Sequence, residues 1–246
     1  KGVKGKGAKQ LHNLKNNLRK RSIKRTRQQV EQAVKATIAS YVKPPNYAPP
    51  RKIGDLRAVE GLPDASILHD YITVEMEQKL ANVTVAHGAQ TIGSGRFTAQ
   101  WGYHIDWSNI KGNLMAPTPG KDMDGMPANI SDLLRTIMRD FDFSDPSFPA
   151  PEHHCLGNIY MRSRSQGIHW HFDHGQFGPG VVIVSLLNDV TLTFRKGNAM
   201  IHVPLPRRSI FFFWGAARYE WDHAIVSRYS ALPERVSITF RSVVGA

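Results

Sequence analysis

The C-terminal part of the chain is a succession of short apolar or alternating runs, five to nine residues long, separated by Gly, Pro or charged turns. Runs of this kind are typical of β-strands, and many of them in succession favour a sandwich or barrel. Two stretches with helical spacing of apolar residues, 72–82 and 131–141, precede them. The pattern therefore predicts a β-rich α+β fold with flanking helices. The predicted strands are residues 155–161, 168–172, 181–187, 190–195, 199–203, 209–214, 221–226 and 235–243.

Positive charge is concentrated at the start of the chain. The 246 residues include 32 Lys+Arg and 20 Asp+Glu, a formal net charge of +12, and residues 1–30 hold eleven of the cations and no acid. The rest of the chain is nearly neutral, with 21 cations against 20 acids. Such a segment favours a polyanionic partner, either nucleic acid or an anionic membrane surface, and we expect RNA. The cations predicted to contact RNA are Lys4, Lys6, Lys9, Lys15, Arg19, Lys20, Arg21, Lys24, Arg25 and Arg27.

Three segments follow from the charge distribution and the prolines. Residues 1–43 form a basic, partly helical extension, in which Leu11, Leu14 and Leu18 have helical spacing. Residues 44–61 form a Pro-rich linker, because the four prolines between residues 44 and 50 bar a helix and remove backbone donors. Residues 62–246 form the folded domain. For the extension, a solvated and unstructured tail is the alternative.

Cysteine usage and hydropathy exclude several classes of protein. A single cysteine, Cys155, forms no internal disulfide and builds no thiolate metal site, which argues against a secreted, disulfide-stapled fold. The longest apolar runs are far shorter than the ~20 residues of a membrane helix, so we expect no membrane partner. The acid-free basic start resembles an organellar transit peptide or the segment that follows one. It predicts a mitochondrial location, with the cytoplasm or nucleus as alternatives.

A metal site is predicted by the spacing of two histidines and one aspartate. His171 and Asp173 are separated by one residue on a predicted strand, so their side chains share a face. With a second histidine they would form the 2-His-1-carboxylate set of non-haem iron enzymes. His223 lies 50 residues further on, on another predicted strand. The His-x-Asp pattern also arises by chance, as at His104 and Asp106, which have no comparable partners downstream.

The last predicted strand adds a requirement for an anion. Its side chains alternate, so that Arg235 and Arg241 share one face and Val236 and Ile238 share the other. An arginine on a buried strand needs an anion. The facial triad leaves three positions open on iron, two for a chelating 2-oxo acid and one for O2, and a guanidinium suits the remote carboxylate of 2-oxoglutarate. The predicted cofactors are therefore Fe(II), 2-oxoglutarate and O2.

Several segments around these residues carry a resemblance to a known family. They are Asn158-x-Tyr160 and residues 100–104 (QWGYH), 167–173 (GIHWHFD), 183–186 (IVSL), 205–209 (LPRRS), 215–225 (GAARYEWDHAI) and 235–241 (RVSITFR). They resemble the AlkB family of iron(II)/2-oxoglutarate dioxygenases, and within it the eukaryotic branch that includes a tRNA-modifying homologue. The resemblance covers about residues 62–246 and leaves the extension and the linker outside.

The resemblance implies a double-stranded β-helix and a complete set of site residues. Arg235 would bind the distal carboxylate of 2-oxoglutarate. In this family the oxidised C–H bond is typically on a methyl or methylene group of a nucleobase, so the product is a demethylated or hydroxylated base. The implied iron ligands are His171, Asp173 and His223, and the residues implied to complete the co-substrate pocket are Asn158, Tyr160 and Arg241.

Aromatic and basic side chains are the candidates for substrate contact. Trp101 and Tyr103 are predicted to stack a flipped base over the iron, and packing beneath the barrel is the alternative for each. A phosphate-binding rim is the second expectation, with ordinary exposed arginines as its alternative. The rim candidates are Arg162, Arg164, Arg207 and Arg208.

Three functions are compatible with these residues. The first is an AlkB-like dioxygenase that hydroxylates or demethylates a nucleobase in RNA, either rRNA or tRNA. Its basic extension would tether it to the RNA and protein subunits of a large ribonucleoprotein. The second is a non-catalytic structural or assembly component of an organellar ribosome or another ribonucleoprotein that retains the fold. The third is a protein hydroxylase on the same scaffold.

Overall fold

The structure is a computed structural model. It describes residues 55–90, 96–105, 114–115, 125–144, 150–160, 167–226 and 234–243. The basic extension predicted at residues 1–43 and the first part of the predicted linker, residues 44–54, lie outside the described residues.

The described residues form three helices and fourteen strands. The helices are α1 (Val74–His87), α2 (Ala128–Asp140) and α3 (Gly215–Tyr219). The strands are β1 (Arg57–Ala58), β2 (Ala65–Leu68), β3 (Ala89–Gln90), β4 (Phe97–Gly102), β5 (His104–Ile105), β6 (Leu114–Met115), β7 (His154–Tyr160), β8 (Ile168–His171), β9 (Phe177–Leu186), β10 (Val190–Lys196), β11 (Ala199–Leu205), β12 (Ile210–Phe213), β13 (Asp222–Ile225) and β14 (Arg235–Val243).

Local sequence signals account for most of these elements. Each of the eight predicted strands is present, within four residues at either end, as β7 to β14. Helix α1 begins where the Thr73 hydroxyl accepts a hydrogen bond from the Met76 amide at 3.1 Å, as expected of an N-cap threonine. Helix α2 follows Pro127, a residue suited to the start of a helix because its own amide lacks a hydrogen.

The strands form two main sheets with the topology of a double-stranded β-helix. One sheet has eight strands in the order β1-β2-β12-β9-β14-β7-β4-β3, and the other has four in the order β11-β10-β13-β8. From β7 onward, strands 7, 9, 12 and 14 therefore belong to the first sheet and strands 8, 10, 11 and 13 to the second. This distribution is that of a jelly roll. The predicted fold class is confirmed.

Alternation along the strands divides the core in two. On β14, Val236, Ile238 and Phe240 pack with residues of α1 and α2 on one side of the eight-stranded sheet. Their neighbours Arg235 and Arg241 point to the other side, into a cavity between the two sheets. We call these the helix side and the cavity side. The period-2 pattern of β14 thus supplies an apolar layer and a polar cavity wall at the same time.

Helix α1 packs very closely on the eight-stranded sheet. A Cβ placed on Gly157, in β7, would lie 2.4 Å from the Thr84 side chain of the helix, so a side chain here would push the helix and the sheet apart.

Among the described helices, none combines the length and the apolar composition that crossing a bilayer requires.

Part of the predicted linker is part of the sheet. Arg57 and Ala58, in β1, pair antiparallel with Ile67 and Ser66 of β2. The predicted linker of residues 44–61 therefore needs correction at its C-terminal end, because backbone pairing brings residues 57–58 into the domain predicted to begin at residue 62. Prolines mark only residues 44–50, and the sequence between them and residue 62 lacks a comparable signal.

Candidate active site

A cavity of about 430 Å³ lies between the two sheets. The eight-stranded sheet contributes polar side chains from β7 and β14, including Asn158 and Arg235. The four-stranded sheet contributes His171 from β8 and His223 from β13. The cavity thus collects polar groups from segments that are far apart in the sequence.

Three potential metal ligands meet on one wall of this cavity. His171 and His223 are paired directly across β8 and β13, and their rings lie 4.3 Å apart between centroids. Asp173 follows β8 immediately, in the connection to β9. One ligand atom from each of the three side chains lies within 4.8 Å of the others. The structure therefore brings together the three residues that the sequence predicts as metal ligands.

The two imidazoles are held in the neutral form that metal binding needs. Burial lowers the pKa of both side chains, and it lowers the pKa of His223 to about 3, with the neighbouring His171 acting in the same direction. His171 Nδ1 donates a hydrogen bond to the His169 carbonyl at 2.8 Å. This bond fixes the tautomer, so that the Nε2 lone pair of His171 is available to a metal.

Asp173 is held in its ionised form. Burial opposes ionisation, but the nearby positive charges, led by Arg241, outweigh it and bring the pKa of Asp173 below its usual range. Arg241 donates to Asp173 Oδ1 at 2.7 Å. The second oxygen, Oδ2, is buried and has no hydrogen-bond partner within the described residues. The carboxylate therefore presents one free, charged oxygen.

These observations fit a divalent iron. Asp173 Oδ2 and His223 Nδ1 are both buried without hydrogen-bond partners in the described part of the chain, a condition that is rare unless a ligand or water completes the site. Two neutral imidazoles and one carboxylate are the donor set that non-haem Fe(II) uses.

A second group of unpaired polar atoms surrounds Arg235. Its side chain is buried on β14, donates through Nη2 to Ser185 Oγ at 3.3 Å, and lies 5.3 Å from the centre of the Tyr160 ring. Arg235 Nε and Nη1 and the Tyr160 hydroxyl have no hydrogen-bond partner within the described ranges. A guanidinium edge beside a phenol hydroxyl can bind a carboxylate through charge-assisted hydrogen bonds. This end of the cavity fits the distal carboxylate of 2-oxoglutarate.

Comparison with protein families identifies the family to which the chain belongs. A model of the 2OG-Fe(II) oxygenase superfamily matches residues 100–241, which is more than half of the chain and includes the three potential metal ligands and Arg235. The chain belongs to this superfamily. Its members use Fe(II), 2-oxoglutarate and O2, and these supply the oxidation of a substrate C–H bond when they are bound.

Similarity to individual proteins identifies this oxygenase as AlkB-like. It is 24% identical over 201 residues to an uncharacterized protein of Acanthamoeba polyphaga mimivirus, covering 77% of this chain and 89% of that protein. It is 25% identical over 173 residues to the tRNA (carboxymethyluridine(34)-5-O)-methyltransferase alkbh8 of Xenopus tropicalis, covering 68% of this chain but only 26% of the relative. The solved structure of OsALKBH1 shares the fold, with a TM-score of 0.51 at 16% identity, over 76% of this chain and 99% of that one.

Two further arginines of the AlkB-like oxygenase contact the site, and no role was predicted for either. Arg96 Nε donates to Asn158 Oδ1 at 3.0 Å, which fixes the orientation of the Asn158 amide. Arg218, on α3, donates to backbone carbonyls beside Asp173. Arg218 carried a signal, because it is a lone cation within the Gly-Ala-Ala run that precedes β13. Arg96 lies outside any such pattern.

The predicted base-stacking residues do not face the cavity. Trp101, on β4, is buried on the helix side of the eight-stranded sheet, with its ring 5.8 Å from that of His87 on α1. Tyr103 packs edge-on against His153 and is not among the residues that line the cavity. The stacking role predicted for Trp101 and Tyr103 is therefore corrected to packing. The indole is on the wrong side of the sheet because β4 places residues 97, 99 and 101 towards the helices.

The predicted phosphate-binding rim needs a similar correction. Arg208 is buried and pairs with Asp70 at 2.8 Å, while Arg207 donates to the buried carboxylate of Glu77. Both arginines are therefore engaged in ion pairs within the chain. The other two rim candidates, Arg162 and Arg164, lie outside the described residues.

Proposed function

We propose that this AlkB-like oxygenase oxidises a nucleobase in RNA, hydroxylating it or removing a methyl group from it. The observation that carries the proposal is the cavity itself. It combines the potential metal ligands His171, Asp173 and His223 at one place with the free guanidinium nitrogens of Arg235 and the Tyr160 hydroxyl at another. Both halves of an iron- and 2-oxoglutarate-dependent site are thus present.

Two observations support RNA as the substrate class. One relative, alkbh8 of Xenopus tropicalis, is a tRNA methyltransferase by name; it matches 68% of this chain, and the chain spans about a quarter of that protein. Residues 1–30 also carry eleven cations and no acid, which favours a polyanion. We propose that this extension holds the enzyme on rRNA or tRNA, in a ribonucleoprotein whose protein subunits it also contacts.

In the proposed reaction each group has a separate task. His171, Asp173 and His223 would hold the iron on one wall. Arg235, with the Tyr160 hydroxyl beside it, would anchor the distal carboxylate of 2-oxoglutarate and so orient the co-substrate towards the metal ligands.

Phe172 offers an aromatic surface for the substrate in place of Trp101. It lies in the sequence between the metal ligands His171 and Asp173 and lines the cavity, and 51% of its surface is exposed. A large apolar side chain left exposed beside a polar cavity is suited to a base, and base–aromatic stacking contributes ~1–3 kcal/mol. We therefore propose that Phe172 contacts the target base at the mouth of the cavity.

Turnover with RNA is the direct test. The chain is incubated with Fe(II), 2-oxoglutarate and O2, and with total tRNA or rRNA. Succinate is measured together with the nucleoside masses of the digested RNA. We expect succinate formation that depends on RNA and a mass change in one nucleoside. His171→Ala should abolish both, whereas Arg139→Met, an exposed arginine on α2, should change neither.

A different outcome would identify the alternative functions. Succinate formed with peptides but not with RNA would indicate a protein hydroxylase. No turnover with either, in a chain that remains folded, would favour a structural role in an assembly. The free polar atoms argue against a purely structural role, because each buried unsatisfied group costs about 1–3 kcal/mol and would bring a scaffold no benefit.

The extension requires its own test. Replacing its ten predicted RNA contacts by glutamine removes charge while keeping chain length. The slope of log affinity against log salt is negative, and each lost phosphate contact should reduce its magnitude by ~0.7–0.9. We therefore expect a slope that is shallower by several units. The substituted residues would be Lys4, Lys6, Lys9, Lys15, Arg19, Lys20, Arg21, Lys24, Arg25 and Arg27. An unchanged slope would contradict the proposed role of the extension.

A mitochondrial location, with cytoplasm and nucleus as alternatives, stays a prediction that rests on the acid-free basic start of the chain. Imaging of the tagged natural protein in cells checks it.

A further inference from the structure

Arg218 is a fully buried arginine that points at the backbone of the predicted metal-binding segment. It lies on α3, five residues before His223, and only 1% of its surface is exposed. The helix joins β12 of the eight-stranded sheet to β13 of the four-stranded sheet. Arg218 therefore sits on the segment that leads directly into the strand of one metal ligand.

Its guanidinium contacts the segment that carries another metal ligand. Nη1 donates to the Asp173 carbonyl at 3.1 Å and Nη2 donates to the His174 carbonyl at 2.8 Å. Both carbonyls belong to the connection between β8 and β9, where ladder hydrogen bonds do not hold the backbone. The planar, forked guanidinium can engage two neighbouring carbonyls at once, which the single ammonium of a lysine does less well.

The helix that carries Arg218 is itself fixed. Asp64 Oδ2 accepts a hydrogen bond from the Ala216 amide at 2.8 Å, and the Asp64 carbonyl accepts one from the Trp214 amide at 2.9 Å. Gly215 has φ = +46°, and a Cβ there would lie 2.4 Å from Asp64 Oδ2. The glycine thus allows the tight contact with Asp64 that anchors the start of α3.

We propose that Arg218 is a positioning residue for the metal centre, which sets the place of Asp173 relative to His223. Asp64 fixes α3, α3 fixes Arg218, and Arg218 fixes the backbone of Asp173. Arg241 orients the Asp173 carboxylate through its side chain, so the backbone and the carboxylate of this ligand are held by two different arginines. The proposal rests on the iron site assigned above and concerns the chain's preparation of that site, before any substrate binds.

Metal affinity is the measurement that tests this proposal. The 246-residue chain is titrated with Mn(II), and free Mn(II) is followed by electron paramagnetic resonance. Loss of an interaction that orients a metal ligand typically weakens metal binding by about 10–100-fold. We expect Arg218→Met to raise the Mn(II) Kd by that factor and Arg218→Lys to recover part of the loss. The Co(II) absorption spectrum should also change in Arg218→Met, because the ligand geometry changes.

Arg207→Met is the matched control. Like Arg218→Met, it removes a guanidinium that donates to a buried acceptor, here the Glu77 carboxylate, but on the helix side of the sheet, away from the cavity. We expect it to lower Tm while leaving the Mn(II) Kd within about twofold of the unsubstituted chain. A wild-type Mn(II) Kd in folded Arg218→Met would overturn the proposal, and so would an equal loss of affinity in Arg207→Met.

The remaining outcomes also decide the question. If Arg218→Met does not fold, a raised Kd in folded Arg218→Lys supports the proposal and an unchanged Kd overturns it. If neither variant folds, Arg218 is a folding residue and the proposal is overturned. Mn(II) binding is measured independently of RNA oxidation, so a chain whose Mn(II) affinity depends on Arg218 but that oxidises no RNA would keep this proposal and refute the proposed function.

Discussion

Buried charged groups differ in their hydrogen-bond partners between the two sides of the eight-stranded sheet. On the helix side, the buried Glu77 carboxylate accepts hydrogen bonds from the Leu187 amide at 2.7 Å and from Arg207, and Arg208 lies within 3.7 Å. On the cavity side, Asp173 Oδ2 and two nitrogens of Arg235 have no hydrogen-bond partner in the described part of the chain. The helix side pairs its buried carboxylate with two arginines, whereas the cavity side pairs only one oxygen of Asp173, with Arg241, and leaves Asp173 Oδ2 and the Arg235 nitrogens available to a ligand.

The difference separates a structural cluster from a binding site. Glu77 joins α1 to the end of β9 and to the turn before β12, so its contacts stabilise the packing of the helix on the sheet. Unsatisfied atoms on the cavity side lower stability until a ligand completes them. The comparison therefore predicts that substitutions on the cavity side change chemistry and that substitutions on the helix side change stability.

His171→Ala should have the largest effect, and it should change turnover and metal binding rather than stability. The substitution removes one metal ligand without leaving a buried charge unpaired, since His171 is neutral and partly exposed. We expect no measurable turnover, a large loss of Mn(II) affinity, and a free energy of unfolding within about 1 kcal/mol of the original. Urea unfolding and the succinate assay measure the two quantities. A variant that still turned over would break the comparison on the cavity side.

Glu77→Gln should show the opposite behaviour. It keeps the shape of the side chain but leaves Arg207 and Arg208 beside a neutral amide. Removing one partner of a buried ion pair typically destabilises by 3–5 kcal/mol, so we expect a loss of about 4 kcal/mol in the free energy of unfolding. The Mn(II) Kd of the folded variant should remain unchanged. Equal stability in urea unfolding would show that this cluster is not structural.

Trp101→Ala distinguishes packing from substrate contact. Because the indole lies in the helix-side core, its loss should destabilise the chain by about 3 kcal/mol. The KM for RNA should not change, whereas Phe172→Ala should raise it. A raised KM for RNA in Trp101→Ala, at unchanged stability, would restore the stacking role that the sequence suggests.

Arg235→Met tests the co-substrate end of the cavity. Losing charge-assisted hydrogen bonds to a carboxylate costs about 1.5–3 kcal/mol, which corresponds to roughly a 10–100-fold higher KM for 2-oxoglutarate. The control is Arg195→Met, an arginine that pairs with Asp222 on the four-stranded sheet and does not line the cavity. It should leave the KM for 2-oxoglutarate unchanged. The same KM in both variants would remove Arg235 from the co-substrate site.

The Cys155 thiol should show the smallest effect. Burial on the helix side raises the pKa of this thiol well above its usual value, so it stays protonated at pH 7 to 8. We expect no alkylation by iodoacetamide in the folded chain and rapid alkylation in urea, followed by mass spectrometry. Alkylation without unfolding would mean that the helix side opens to solvent.

The strands and the metal site could be predicted because their signals are local. Alternation on β14 places Arg235 and Arg241 on one face, and the His-x-Asp spacing indicates two ligands close together, His171 at the end of β8 and Asp173 just after it. The substrate residues could not be found in this way. The sequence shows that Trp101 is aromatic but does not show which side of the sheet its side chain faces. Only the pairing of β4 with β7 decides that side.

The sequence alone determined the order of the strands along the chain, their two faces, and a set of residues suited to iron and 2-oxoglutarate. Tertiary structure decided which charges end as structural ion pairs and which stay free for a ligand. Glu77 meets Leu187 across 110 residues, and Arg218 meets Asp173 across 45. Contacts of that range depend on how the sheets and helices assemble, because no local pattern encodes the partner of a buried charge.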